Sequence, residues 1–315
     1  MSRTKKQHFI PRFYLSNFMD DAGLLWTHDS QRDTLRQTSP EKTGFETNIY
    51  TPVDDDGNRV ELVETTLAEI ESYAAPILNK LASCKAINAV EKSDFSTFLA
   101  TMFSRSPAQL RQIAELMGAT AHWMGSASIK SQNQENEKER KLTDSGRKLQ
   151  EFIQNKENFT MSVDRRVGLM SFAHAEDMSN IIVNMRWSFE ISTEQQLITS
   201  DNCVNWLNAG GPAPTKGLHG FGLEHPQAVI PFPLNPKIIL RLDWEDRADW
   251  ERCKLSKQRA KLANKYQAQY KERYLFFQER DEGFRKLGMK HRSVPQNIKT
   301  SIQAPNIEVV RKLSD

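Results

Sequence analysis

The sequence has 315 residues, of which 38% are hydrophobic and 26% are charged, and its formal net charge is +3 at pH 7. This balance is typical of a soluble globular protein and not of a membrane or disordered one. No segment approaches the roughly 18 consecutive apolar residues of a membrane-spanning helix, and the N-terminus lacks the apolar core of a secretion signal. We therefore expect a cytoplasmic protein with one domain over residues 1–315, whose charge permits a nucleic-acid partner without requiring one.

Motifs that the chain lacks narrow its function. The three cysteines (Cys84, Cys203 and Cys253) are far apart and form no CxxC pair. This pattern fits a reducing compartment and argues against a disulfide framework or a structural zinc site. The sequence also contains no glycine-rich phosphate-binding motif, no HExxH motif and no GxSxG motif.

The first third of the chain predicts a hairpin and a long helix. Residues 23–40 form two short strands around a polar turn, which is a hairpin pattern. Residues 53–61 predict a turn before the helix. Pro76 lies inside this helix and is expected to kink it or to remove one backbone hydrogen bond. The helix carries an amphipathic stripe at spacings of three and four: Val63, Leu67, Ile70, Ala74, Ile77 and Leu81.

The middle of the chain is predicted to be helical. A second helix covers about 91–118, and the helical period returns over 162–186. Between them, residues 130–158 are nearly free of large apolar side chains and rich in mixed charges. We interpret this stretch as a solvated helix or a mobile insertion.

The C-terminal part adds strands. Residues 187–193 and 196–202 resemble paired strands, and 228–242 reads as two more, interrupted by prolines that belong at an edge or a bend. A last helix is predicted over about 255–278. Together these elements predict an α+β fold, with a helical middle and a small, mostly antiparallel β-sheet built from the N- and C-terminal halves.

Arg105 projects from the apolar face of the second predicted helix, because it follows Phe98 by seven residues and Met102 by three. A guanidinium cannot lose its charge, so a buried arginine needs a carboxylate, a phosphate or another anionic partner. Two interpretations remain open. Arg105 either forms a structural salt bridge or binds an anionic ligand at the floor of a pocket.

Glu64 and Glu71 are seven residues apart on the first helix and therefore point the same way. Two carboxylates on one helix edge can share a divalent metal ion or act as acid and base. They can equally form an ordinary solvated flank of the helix.

Asp201 follows an apolar strand in the segment ITSDN, residues 198–202. Strand ends commonly carry sites, because the rigid sheet aims the side chains while the loop keeps them accessible. Asp201 could bind a metal ion or orient a histidine. The alternative is a plain turn, which Asp-Asn often begins.

His8 and Arg12 belong to an N-terminal segment that is too apolar to be a loose basic arm. We expect this segment to pack into the core and to carry both polar side chains with it. Its large apolar residues are Phe9, Phe13, Leu15 and Phe18.

Five segments, in this order, resemble the family named domain of unknown function 4238. They are KKQHFIPRFYLSNF near the N-terminus, ETTLAEIE in the first long helix, RSP after the second, ITSDN at a strand end and IPFPLNPK in the following strand. The resemblance covers roughly residues 5–280, with 130–158 as a variable insertion. The family's usual strand motif continues with proline after Ser-Asp-Asn, whereas this chain has Cys203.

The resemblance implies no established activity, but it implies that certain polar residues belong to recurring motifs. Polar residues scattered in sequence, several of them predicted on buried faces, are most simply explained if they converge on one pocket. The residues are His8, Arg12, Glu64, Glu71, Arg105, Asp201 and Asn202.

The first functional hypothesis is a metal-dependent phosphodiesterase or nuclease. In this hypothesis His8, Glu64, Glu71 and Asp201 are catalytic, and the three carboxylates bind Mg²⁺ or Mn²⁺. The substrate is bound by Arg12, Arg105 and Asn202. Two alternatives remain open: a non-catalytic protein that binds an anionic small molecule or nucleic acid in the same pocket, and a polar core that is purely structural.

Overall fold

The computed structural model describes residues 6–47, 49–50, 62–118, 120, 165–208 and 222–292. The turn predicted over 53–61 and the insertion predicted over 130–158 lie outside these residues. In the described ranges the fold is α+β, with helices and three mostly antiparallel sheets. The predicted fold class is confirmed.

The N-terminal segment forms short elements that fix the position of His8. Strand β1 (Lys6–His8) pairs antiparallel with β4 (Phe45–Thr47), and helix α1 (Arg12–Leu15) follows Pro11. Strands β2 (Leu25–Asp29) and β3 (Thr34–Thr38) pair antiparallel, which confirms the predicted hairpin. Single 3-10 turns at Ser16–Phe18 and Pro40–Lys42 complete the segment.

Tyr14 of α1 joins two of the sheets and explains why the segment packs so deeply. Its hydroxyl donates to the carbonyl of Pro233 at 2.8 Å and is 2.7 Å from the Thr199 hydroxyl. Tyr14 is fully buried, together with Phe9, Leu15 and Phe18. The expected packing of the apolar residues into the core is confirmed, and His8 is half-buried with them. The expectation that Arg12 is carried inside is wrong, because Arg12 is exposed on the outer side of α1.

Helix α2 (Leu62–Leu81) has the predicted amphipathic stripe and continues through Pro76. Leu67, Ala74, Ile77 and Leu81 are buried in the main core cluster, and Val63 and Ile70 pack against it. Helix α3 (Ala89–Ser104) begins at Asn88, whose side chain forms a reciprocal capping box with Glu91.

The prediction of a single helix over about 91–118 is wrong in one respect, because the structure has two helices there. Helix α3 ends at Ser104, and a new helix, α4, covers 107–118. Pro107 has no N–H to donate and disfavours helical geometry in the residue before it. Ser106 begins α4 instead: its hydroxyl accepts from the N–H of Gln109 at 3.2 Å. The break leaves Arg105 at the C-terminal end of α3.

The helix predicted over 162–186 is also divided. A 3-10 segment (Arg165–His174) precedes helix α5 (Ala175–Asn184). Helix α5 packs on α3, where the hydroxyls of Thr97 and Ser179 are 3.0 Å apart.

A five-stranded sheet lies behind these helices. Its strands are β5 (Arg186–Ser192), β7 (Leu207–Asn208), β8 (Ala228–Asn235), β9 (Ile238–Asp243) and β10 (Arg252–Leu255). Their order is β10-β5-β9-β8-β7, and only the pair β10 and β5 is parallel. Phe95 of α3 contacts Trp187 and Phe232 of this sheet.

The two prolines of β8 lie at an edge of the sheet, as predicted. Among the described residues, β7 pairs only with Ala228 and Val229 of β8. Pro231 and Pro233 therefore lie where β8 has a neighbour on one side only.

The helix predicted over about 255–278 is wrong at its C-terminal end. Helix α6 covers only Lys257–Tyr270, and Tyr274–Phe277 forms strand β11. This strand lies between β2 and β6 (Thr199–Ser200) in a four-stranded sheet of order β3-β2-β11-β6. N- and C-terminal segments therefore share one sheet, as predicted. Helix α7 (Glu282–Lys290) follows.

None of the helices in the described ranges combines the length and apolar character that crossing a membrane requires.

Candidate functional site

Arg105 is buried where α3 ends, and its side chain is 1% exposed. Its Nη1 donates to Oε1 of Glu71 at 2.7 Å, and its Nη2 is 3.2 Å from Sδ of Met102. The carbonyl of Arg105 accepts from the Tyr50 hydroxyl at 2.7 Å. Arg105 therefore has the salt-bridge partner that a buried guanidinium requires.

His8 is half-buried on β1, next to the same ion pair. Its ring contacts the edge of Phe45, with 5.4 Å between the ring centroids. Burial lowers its pKa, the positive charge of Arg12 lowers it further, and the carboxylate of Glu71 opposes both. The ring is therefore neutral at pH 7. His8 Nε2 is buried and has no hydrogen-bond partner in the described part of the chain.

We call His8, Arg12, Glu71 and Arg105 the His8 cluster. Arg12 is the exposed member, on α1. Arg12 and Glu71 both act on the charge of His8, and Glu71 pairs with Arg105. Four of the seven residues that the sequence selected are therefore linked in one neighbourhood. Glu64 lies two helical turns before Glu71, half-buried at the start of α2. Because the carboxylate of Glu71 is ion-paired with Arg105, it is not available to bind a metal ion together with Glu64. Over the ranges that the structure describes, no group of three or more His, Cys, Asp or Glu side chains could hold a metal ion.

Asp201 lies elsewhere, at the end of β6, and is 3% exposed. Its carboxylate accepts three backbone N–H bonds: Oδ1 from Glu272 at 2.8 Å, and Oδ2 from Arg273 at 2.7 Å and from Tyr274 at 2.8 Å. Burial raises the pKa of Asp201 to about 7, with a further contribution from the charge of Glu272, while the three N–H donors oppose the shift. Asp201 therefore holds the start of β11 and titrates near neutral pH.

Asn202 ties the same loop to the end of α6. Its Nδ2 donates to the carbonyl of Tyr270 at 3.0 Å, and its own carbonyl accepts from Nδ2 of Asn205 at 2.6 Å. Cys203, which stands where the family pattern has proline, is buried, and burial raises its pKa to about 12. A thiol with such a pKa is a poor nucleophile.

Asp201 lines a pocket of about 340 Å³, which we call the Asp201 pocket. Its wall comes from β4, α4, β11 and the residues that follow β1, β2 and β6 or precede β11. The lining residues are Phe9, Gln31, Glu46, Pro107, Arg111, Asp201, Glu272, Arg273 and Tyr274.

Two arginines of this pocket are held rigidly by carboxylates. Arg111 of α4 donates to both oxygens of Glu272, through Nε at 3.0 Å and Nη2 at 3.1 Å. Arg273 donates to both oxygens of Asp29, at 2.9 and 2.5 Å. A guanidinium group that donates two hydrogen bonds to one carboxylate has its plane fixed by that carboxylate. Arg111 also donates through Nη1 to Glu115 at 2.7 Å, and Glu46 and Glu272 line the pocket as well. The pocket therefore presents two guanidinium groups of fixed orientation, each paired with carboxylates, beside a buried carboxyl.

The His8 cluster and the Asp201 pocket are neighbours that share two sequence segments. His8 belongs to the cluster and Phe9 to the pocket, and the RSP segment contributes Arg105 to one and Pro107 to the other. The charge of Arg105 also lowers the pKa of Cys203, two residues after Asp201. No hydrogen bond or ion pair among the described residues joins Asp201 to His8, Glu71 or Arg105.

Sequence reasoning missed Arg111, Glu272 and Arg273. The last two fall at the end of the helix predicted over about 255–278. That prediction did not show that they precede a buried strand. The signal was present in the sequence: a charged pair followed by the apolar run YLFF at 274–277. Arg111 lay inside the second predicted helix without a marked spacing.

Comparison with known proteins gives one match. The family model described as "Protein of unknown function (DUF4238)" matches residues 6–281. No curated protein matches. No solved structure matches either.

Proposed function

We propose that this chain, which belongs to the DUF4238 family of proteins of unknown function, is a hydrolase of phosphodiester bonds whose active site is the Asp201 pocket. The observation that carries the proposal is the meeting of a buried carboxyl and two fixed arginines in one cavity, where three motif segments of the family resemblance also meet.

Asp201 is the proton-transfer group in this proposal. Proton transfer is most efficient when the pKa of the group lies near the working pH, and burial raises the pKa of Asp201 to about 7. Of the lone-pair sites on the carboxylate, Oδ2 uses two for backbone N–H bonds and Oδ1 uses one. Oδ1 therefore keeps one site for a proton or for a substrate oxygen.

Arg111 and Arg273 bind the phosphate. Guanidinium groups match the geometry of phosphate oxygens and stabilise the negative charge that grows in the transition state. Both are partly exposed, with side-chain exposures of 42% and 26%, so a ligand in the pocket can reach their remaining donors.

Mg²⁺ or Mn²⁺ remains the proposed cofactor, because phosphoryl-transfer sites commonly bind such ions through substrate phosphates and few protein ligands. The proposal assigns Asp201 to proton transfer, and it does not place the ion on Glu64 and Glu71. Arg105 stabilises the wall behind the pocket through its ion pair with Glu71.

The test uses the full chain with bis(4-nitrophenyl) phosphate, RNA and single-stranded DNA, each with Mg²⁺, with Mn²⁺ and with EDTA. We expect cleavage of at least one substrate, and a loss of about tenfold or more in kcat/KM for Arg111→Gln, because one charged phosphate contact contributes about 1.5–3 kcal/mol.

Arg247→Gln is the matched control, because Arg247 is exposed and outside the pocket. It should keep the wild-type rate. Absence of cleavage in all conditions, or equal rates for wild type and Arg111→Gln, would contradict the proposal.

A second candidate is binding of an anionic ligand without turnover. The three backbone N–H bonds to Asp201 favour it, because they give this carboxylate a structural role. Calorimetry with thymidine monophosphate separates the two: binding that Arg111→Gln weakens, with no cleavage of any substrate, supports the second candidate.

A further inference from the structure

A second pocket, of about 380 Å³, lies between the five-stranded sheet and helix α6. We call it the α6 pocket. It shares no lining residue with the Asp201 pocket, and its volume is in the range of small-molecule sites.

One wall of the α6 pocket is apolar. The strands β7, β8 and β9 contribute Leu207, Val229 and Ile239 to it, and helix α6 contributes Leu262 and Tyr266. Leu262 is 43% exposed and is one of few large apolar side chains so exposed in the described residues. An apolar surface of this kind favours the body of an apolar or aromatic ligand.

The other end of the pocket carries two arginines in different states. Arg241 is occupied: its Nε donates to Asp243 at 2.6 Å, its Nη2 donates to Glu245 at 3.2 Å, and its Nη1 is 3.6 Å from Glu190. Arg259 donates through Nη2 to the buried Glu190, and the described residues give it no other ion-pair partner. Its side chain is 52% exposed. The Nε and Nη1 groups of Arg259 are therefore open to an anionic ligand group.

Arg259 is the one cationic residue of helix α6 that lines the pocket. The helix carries no Asp or Glu, and its three lysines, Lys257, Lys261 and Lys265, lie on the opposite face. Arg259, Leu262, Ala263 and Tyr266 follow one another at spacings of three and four and form the face towards the pocket. Arg259 itself therefore supplies the contact for an anion.

We propose that the α6 pocket binds a small organic anion, with its apolar body against Leu262 and Tyr266 and its carboxylate or sulfonate on Arg259. The inference is independent of the proposed hydrolase, because neither pocket contributes a residue to the other.

Two fluorescent probes with the same aromatic body test the proposal. 8-Anilinonaphthalene-1-sulfonate carries the anionic group, and N-phenyl-1-naphthylamine lacks it. We expect the full chain to bind both, and Arg259→Gln to weaken the sulfonate about tenfold while leaving the neutral probe within about twofold.

Ala263→Phe places a large side chain in the same pocket and should weaken both probes. Where this variant fails to fold, Leu262→Gln replaces it, since Leu262 is exposed. Arg280→Gln is the charge control, because Arg280 is exposed and outside the pocket, and it should change neither probe. No binding of the sulfonate by wild type, or sulfonate binding by Arg259→Gln and by the pocket-filling variant that equals wild type, would overturn the proposal.

Discussion

At the scale of single residues, buried charges organise this molecule. Arg105 cannot lose its charge and is almost fully buried, and its ion pair with Glu71 connects α2 to the end of α3. Glu71 is 31% exposed, so water compensates part of its charge. The sequence indicated that Arg105 needs an anionic partner, and the structure supplies one from the same predicted set.

Glu71→Leu should lower the free energy of unfolding by about 3 kcal/mol, because it leaves the guanidinium buried without its partner. The double variant Arg105→Met with Glu71→Leu should recover much of that loss, since neither charge then remains. Urea unfolding measures both. Glu69→Leu, at an exposed position of the same helix, is the control and should stay within about 0.5 kcal/mol of wild type. A Glu71→Leu variant as stable as this control would show that the ion pair does not hold the fold.

At the scale of secondary-structure elements, the sequence pattern predicted those elements whose formation depends on neighbouring residues. The β2–β3 hairpin and the stripe of α2 could be predicted, because turn residues and apolar spacing act within a few residues. Strand β11 could not, because its identity depends on β2 and β6, which lie far away in sequence. The α3–α4 break was readable from Pro107, whose effect on the preceding residue is local.

Helix α7 depends on a close approach that only glycine allows. A Cβ on Gly288 would lie 2.3 Å from Nδ1 of the buried His28 and 3.1 Å from Cδ1 of Leu275. Neither neighbour is the far end of a flexible side chain in open space, so one of them or the helix must move.

Gly288→Ala should therefore destabilise the protein by about 1–3 kcal/mol, the usual cost of overpacking. Gly222→Ala is the control, because nothing lies within 4 Å of its added Cβ, and both changes reduce the freedom of the unfolded chain alike. Thermal unfolding of the two variants measures the difference. Equal melting temperatures would contradict the close packing of α7 on β2.

At the scale of the whole molecule, the sheet that joins both ends of the chain builds the candidate site. Strand β11 and the residue before it place Tyr274 and Arg273 beside Asp201, while Phe9, directly after β1, and Arg111 of α4 reach the same cavity. The sequence predicted that scattered polar residues converge, but it selected the His8 cluster and Asp201 as one site. The structure separates the two, because none of the residues of the His8 cluster lines the Asp201 pocket.

The Asp201 carboxyl also links the site to the stability of the molecule. Its pKa is about 7 in the folded chain and 3.8 in the reference state, so the folded state holds this proton more tightly. The contribution of Asp201 to stability is therefore fully present below pH 4 and is lost as the pH rises towards 7. The same shift is what proton transfer at neutral pH requires.

The most direct measurement is the titration of the Asp201 side-chain carboxyl by carbon-13 NMR in the full chain, with the resonance assigned from its loss in Asp201→Asn. We expect a midpoint near pH 7, and a change in that midpoint when inorganic phosphate enters the pocket beside Arg111 and Arg273. A midpoint at or below about pH 4, the ordinary value for aspartate, unaffected by phosphate, would contradict Asp201 as the proton-transfer group.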